Sequence, residues 1–156
     1  MNAQDFILDP KDAKRILIGS SGKLGPMDFA QGLAAIVAAS LVLSLLSLFP
    51  GMGMLVGLLN LVVGLALAYA WVCIFSKRFH DAGQSGWMTV AAIVVAILIS
   101  TVVVLILSPV FGGMDYGNMA GTRSMGAGQV FRNMIVSVIT NGALGYYMFK
   151  LKPVLL

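Results

Sequence analysis

The chain has 156 residues, of which 59% are hydrophobic and 10% charged, and its formal net charge is +4. A soluble domain carries about 25% charged residues, so this composition, with a mean hydropathy of +0.95, excludes an ordinary soluble domain. Four apolar stretches approach or exceed the ~20 residues that cross a bilayer core as a helix. The expected fold is all-α: a polytopic integral membrane protein with four transmembrane helices and a short N-terminal interfacial helix.

The N-terminal segment, 1–28, is polar. Asp9, Pro10 and Asp12 read as a helix start, with Asp9 as the cap and Pro10 in the first turn. The short helix that follows, over about 11–18, sets Ile16, Leu17 and Ile18 beside Lys14 and Arg15, a composition suited to the membrane interface. Ser20-Ser21-Gly22 ends it. The polar region is long and no small-residue cleavage site follows the apolar run, so no signal peptide is expected.

Span one covers about 29–49 and holds no charged residue. Pro50-Gly51 breaks it with a tight turn. Span two covers about 54–75, and the short turn makes the two an antiparallel hairpin. Ala30, Ala34 and Ala38, then Gly53 and Gly57, then Gly64 and Ala68, are spaced by four residues, a pattern that permits close helix approach in lipid. Asn60 sits within span two and is expected to hydrogen-bond across helices. Cys73 has no partner for a disulfide and reads as a small packed hydrophobe.

Span three covers about 87–107 and ends at Ser108-Pro109. The stretch 112–128 holds six glycines and three methionines, and reads as an outer loop. Span four, about 130–149, is the least apolar. Asn133, Ser137 and Asn141 are four residues apart and share a face with Gly145, so the stripe is expected to point into the bundle. Asn141 and Asn60 are candidate partners near mid-membrane. Arg132, near the helix end, is expected to snorkel toward headgroups. Residues 150–156 form a short tail.

Lys11, Lys14, Arg15, Lys23, Lys77, Arg78, Lys150 and Lys152 fall on one side of a four-span protein, and only Arg123 and Arg132 on the other. The excess of Lys and Arg on cytoplasmic loops puts both termini in the cytoplasm. Trp71, Trp87, Tyr146 and Tyr147 then mark an interfacial aromatic belt. Basic residues that flank apolar spans suit orientation and anionic headgroups. The expected partners are therefore membrane lipids, further copies of the chain or other membrane proteins, and not nucleic acid.

Between spans two and three lies Lys-Arg-Phe-His-Asp-Ala-Gly-Gln-Ser-Gly-Trp, 77–87, the densest polar cluster and the site of the only histidine. Its Arg78, His80, Asp81, Gly83, Ser85, Gly86 and Trp87 match an Arg-x-His-Asp-x-Gly-x-Ser-Gly-Trp motif, and the chain resembles the DUF805 family of small bacterial inner-membrane proteins. Met88 stands where that family often has a second tryptophan, and Pro26 where it often has a second arginine. The resemblance spans about 18–110. It implies architecture and a place in the bacterial cytoplasmic membrane, and brings no biochemical activity.

The motif has two readings. As a structural clasp, Lys77 and Arg78 complement the helix C-terminal dipole and Gly83 and Gly86 supply unusual backbone angles. Ser85 caps span three, and Asp81 pairs with Arg78 or with turn amides. As a functional site, Arg78, His80 and Asp81 form a headgroup or anion site. A metal or hydrolytic site at His80 and Asp81 lacks ligands and a paired nucleophile, so no enzyme, metal or cofactor is expected. Met52, Met54, Met114, Met119, Met125 and Met134 offer soft thioethers for Cu(I), but at irregular spacing. The expected role is a non-catalytic structural, lipid-interacting or partner-binding membrane component. The alternative is a small transporter or channel subunit, with the Asn133–Ser137–Asn141 stripe and Asn60 lining a polar path.

Overall fold

The computed structural model describes residues 16–18, 24–48, 53–111 and 126–152. Four helices account for almost all of them: α1 (Pro26–Leu46), α2 (Gly53–Asp81), α3 (Trp87–Phe111) and α4 (Ala127–Lys150). Three are long and apolar enough to cross a membrane: α1, α2 from Gly57 onward, and α3. The fourth, with 24 residues, has the length, about 36 Å, but carries Gln129, Arg132, Asn133, Ser137, Thr140 and Asn141.

The helices alternate in direction. Phe29 near the start of α1 meets Phe75 near the end of α2 edge-to-face, with centroids 5.2 Å apart. Arg78 reaches the last turn of α4. At the opposite end Asn60 of α2 donates to the Ser47 hydroxyl that follows α1, at 3.3 Å. There too the Phe111 carbonyl that ends α3 lies against Gly128 in the first turn of α4. α4 packs most extensively, against α1 and α3, while α2 and α3 touch sparsely. The core therefore gathers at the end holding Phe29, Ile74, Phe75, Phe79, Leu144 and Met148. Away from it α2 and α3 expose Leu58, Leu61, Leu65, Ile97, Leu98, Leu105 and Ile106, the surface a bilayer would cover.

Several boundaries differ from the sequence expectation. α1 starts earlier, because Pro26 occupies the first turn, where its missing N–H is no loss. α2 runs past Phe75 to Asp81, so Lys77, Arg78, His80 and Asp81 are helical and the connection shrinks to 82–86. α3 continues through Pro109 to Phe111. A proline this close to a helix end forfeits one hydrogen bond of a nearly finished ladder, while the Ser108 hydroxyl donates to Val104 O, 2.7 Å away.

The small residues are used differently from their spacing. Gly64 has nothing within 4 Å of where a Cβ would stand, and Ala34 and Ala38 are exposed. Close approach instead occurs at Gly32, where a Cβ would meet Ile16 Cγ2 at 2.8 Å, and at Gly145, where it would meet Leu33 Cδ2 at 2.5 Å. Ile16 is accordingly buried in the protein rather than dipped into the interface. Most of the expected N-terminal helix, the Pro50-Gly51 turn, the 112–125 part of the outer loop and the methionines 52, 114, 119 and 125 lie outside the described residues.

Candidate functional site

The motif folds as the end of one helix, a turn and the start of the next. Asp81 closes α2 and Gly83 follows it with φ 69°, the only positive-φ glycine among the described residues. Gly83 N–H donates to His80 O at 3.1 Å and Gln84 N–H to Phe79 O at 2.9 Å. This pair of bonds is the Schellman arrangement, in which a left-handed glycine satisfies carbonyls that the helix end leaves open. Met88 N–H then donates to Ser85 O, and Thr89 N–H to Gly86 O, each at 3.0 Å, to begin α3.

Two sequence expectations are corrected here. α3 starts at Trp87, so Gly86 and not Ser85 holds the capping position, and Ser85 contributes its main-chain carbonyl. Gly86 has no positive φ, and a Cβ there would make only an ordinary contact, 3.7 Å from His80 Nε2.

Arg78 is the centre of the cluster. It is 0% exposed. Its Nε donates to Met148 O at 3.1 Å, one terminal nitrogen donates to Asp81 Oδ2 at 2.6 Å, and the other donates to Leu151 O. A planar guanidinium, with donors fixed in a fork, thus caps the C-terminal carbonyls of α4 while paired to the carboxylate one turn along its own helix. Its positive charge complements the dipole of α4 as well as that of α2, whose last turn carries it as the sequence suggested. Lys77 is likewise buried and donates to Ile16 O at 3.1 Å. Tyr69 and Cys73, eight and four residues earlier on the same face, approach Ile18 O, so one stripe of α2 holds the N-terminal segment. His80 is exposed and Trp87 is 79% exposed.

The polar stripe on α4 turns inward as expected, and each of its neighbours supplies one partner. Ser137 Oγ lies 3.3 Å from Ser40 Oγ of α1, Trp71 Nε1 of α2 donates to Asn141 Oδ1 at 2.9 Å, and Ser100 Oγ of α3 lies 3.1 Å from Thr140 Oγ1. Asn141 also donates to Ser137 O at 2.9 Å. Asn60 and Asn141 are therefore not partners: Asn60 bonds Ser47 near the other end of the bundle. Trp71 leaves the expected aromatic belt, since it stacks on Phe75 at 3.9 Å and faces the interior. Arg132 is buried rather than snorkelled.

Ser100, Ser137, Thr140 and Asn141, together with Asn133 and Trp71, line a cavity of about 390 Å³ among the four helices. Sequence reasoning missed Ser40, Ser100 and Thr140. Serine and threonine in a membrane helix are inconspicuous, and each also bonds or can bond its own backbone, as Ser40 does to Val37 O at 2.7 Å.

A family model described as a protein of unknown function, DUF805, matches residues 18–122. The chain belongs to the DUF805 family. The matched stretch holds the motif, α1, α2 and α3 and stops before α4, so the carbonyls that Arg78 caps, Met148 and Leu151, lie outside it. Neither the curated proteins nor the solved structures yield a match. The DUF805 chain is thus a membrane protein whose motif arginine and α4 polar face are both engaged inside the bundle.

Proposed function

We propose that this DUF805 protein is a non-catalytic structural component of the cytoplasmic membrane that crosses it four times with both termini cytoplasmic. Its motif is a clasp that joins the ends of α2, α3 and α4. One observation carries this reading: Arg78 is wholly buried, and its donors go to Met148, Leu151 and Asp81 rather than to an open anion site. α4 supports four crossings, because its polar groups are bonded to α1, α2 and α3 and so need not meet hydrocarbon. Breaking a buried charge pair by removing one partner costs about 3 kcal/mol or more. Arg78→Ala in mild detergent is therefore expected to lower the melting temperature sharply, with Asp81→Asn showing a smaller loss. An Arg78→Ala protein that melts like wild type but has lost affinity for anionic lipid would return the motif to the headgroup reading.

The polar cavity favours a second reading, a small transporter or channel subunit, since substrate sites of transporters lie near the bilayer midplane. Its lining residues are uncharged, which restricts such a path to neutral solutes. Proteoliposomes of wild type are expected to show no flux of small neutral solutes above empty vesicles. Reproducible flux that Asn141→Leu abolishes would replace the structural reading.

A further inference from the structure

On the side of α4 away from the polar cavity, α1 and α4 enclose a second hollow of about 450 Å³. Its walls are almost wholly apolar, with the small Ala30, Ala34 and Gly142 set among Phe29, Leu33 and Phe149, and Asn141 borders both this hollow and the polar cavity. The volume falls in the range of small-molecule pockets. From Phe29 to Val37 the groove runs roughly 12 Å along α1, close to one leaflet of a bilayer core, roughly 15 Å. It is open to the side, where lipid chains rather than water would meet it.

One end of this groove is basic. Tyr146 forms its wall there, and Lys150 Nζ stands 4.6 Å above the Tyr146 ring centroid. Lys150 and Lys152 are both exposed, whereas Lys77 and Arg78 at the same end of the bundle are buried. Asp28, the acidic residue in the first turn of α1, is half-buried and already engaged.

We propose that the α1–α4 groove is a binding site for one anionic phospholipid, with an acyl chain along Ala34 and Gly142 and the phosphate at Lys150. The proposal rests on α4 lying in the bilayer beside α1. A second copy of the chain is the competing occupant, because Ala30, Ala34 and Gly142 are small enough for a helix to approach. The basic end and the one-leaflet length favour the lipid.

Gly142 makes the test specific. Nothing lies within 4 Å of where its Cβ would stand, so a side chain at 142 starts in open space on the groove wall, and Gly142→Leu is the variant chosen to fill the groove. The full chain in mild detergent is titrated with phosphatidylglycerol or phosphatidylcholine and read by native mass spectrometry, with melting temperature as the control for folding. Wild type is expected to retain one phosphatidylglycerol in preference to phosphatidylcholine by roughly fivefold, the factor one basic residue near the surface supplies. Gly142→Leu is expected to lose both lipids, and Lys150→Gln to hold the two alike, each with an unchanged melting temperature. Equal retention by wild type and Gly142→Leu overturns the site. So does a lipid-free dimer that Gly142→Leu converts to monomer, which assigns the groove to a second copy. Failure of the four-crossing reading shows separately, as a reporter after Lys152 on the wrong side of the membrane.

Discussion

Gly83 and Ser85 sit two residues apart in one turn and do unlike work. Gly83 holds a left-handed φ of 69°, which a β-branched side chain resists, and both Schellman bonds depend on that angle. Ser85 is exposed and offers only its carbonyl to Met88, a bond that survives replacement of the side chain. Gly83→Val is therefore expected to lower the melting temperature or the yield of folded protein, and Ser85→Ala to leave both within error of wild type. Thermal melts of the two purified variants check this; a Ser85→Ala loss equal to that of Gly83→Val would restore Ser85 as the cap. The neighbouring His80 and Trp87 also face outward, where their side chains can meet headgroups.

At the scale of the element, α4 is the least apolar helix and yet packs against the other three. The two facts are linked. Ser137, Thr140 and Asn141 each find a hydroxyl or indole on a different neighbour, so the polarity that weakens α4 as a lipid-facing helix suits it to the middle of the bundle. Such bonds contribute about 1 kcal/mol or less apiece in membranes. Asn141→Leu removes the Trp71 partner and is expected to lower stability by about 1 kcal/mol, within reach of denaturant titration in detergent. A loss of several kcal/mol would mean that the three links act as one network rather than singly.

For the whole molecule, the alternating helix directions bring the start of α1, the end of α2, the start of α3 and the end of α4 to one end. There lie Lys77, Arg78, Lys150 and Lys152. With the basic residues before α1, this charge bias predicts a cytoplasmic location for that end. A fusion after Lys152 is expected to be active with a cytoplasmic reporter and silent with a periplasmic one, and the 112–125 segment to be labelled only from outside. The reverse pattern would turn the protein over, and opposite sides for the two termini would remove α4 from the membrane.

Composition and the length of apolar runs were enough to determine a helical membrane protein, because each spanning helix must satisfy its own backbone and cover itself with apolar side chains. The Gly83 turn, the Arg78–Asp81 pair and the inward face of Asn133, Ser137 and Asn141 were equally legible, since each depends on residues a few positions apart. What only the tertiary structure decided are the partners. Arg78 reaches Met148 and Leu151 across 70 and 73 residues of chain, Trp71 takes Asn141 in place of Asn60, and Ile16 fills the notch at Gly32. α4 stands between α1 and α3 for the same reason. Local pattern says which side of a helix is polar or small. Which neighbour meets that side is set by the joint packing of all four helices, and no single stretch of sequence carries it.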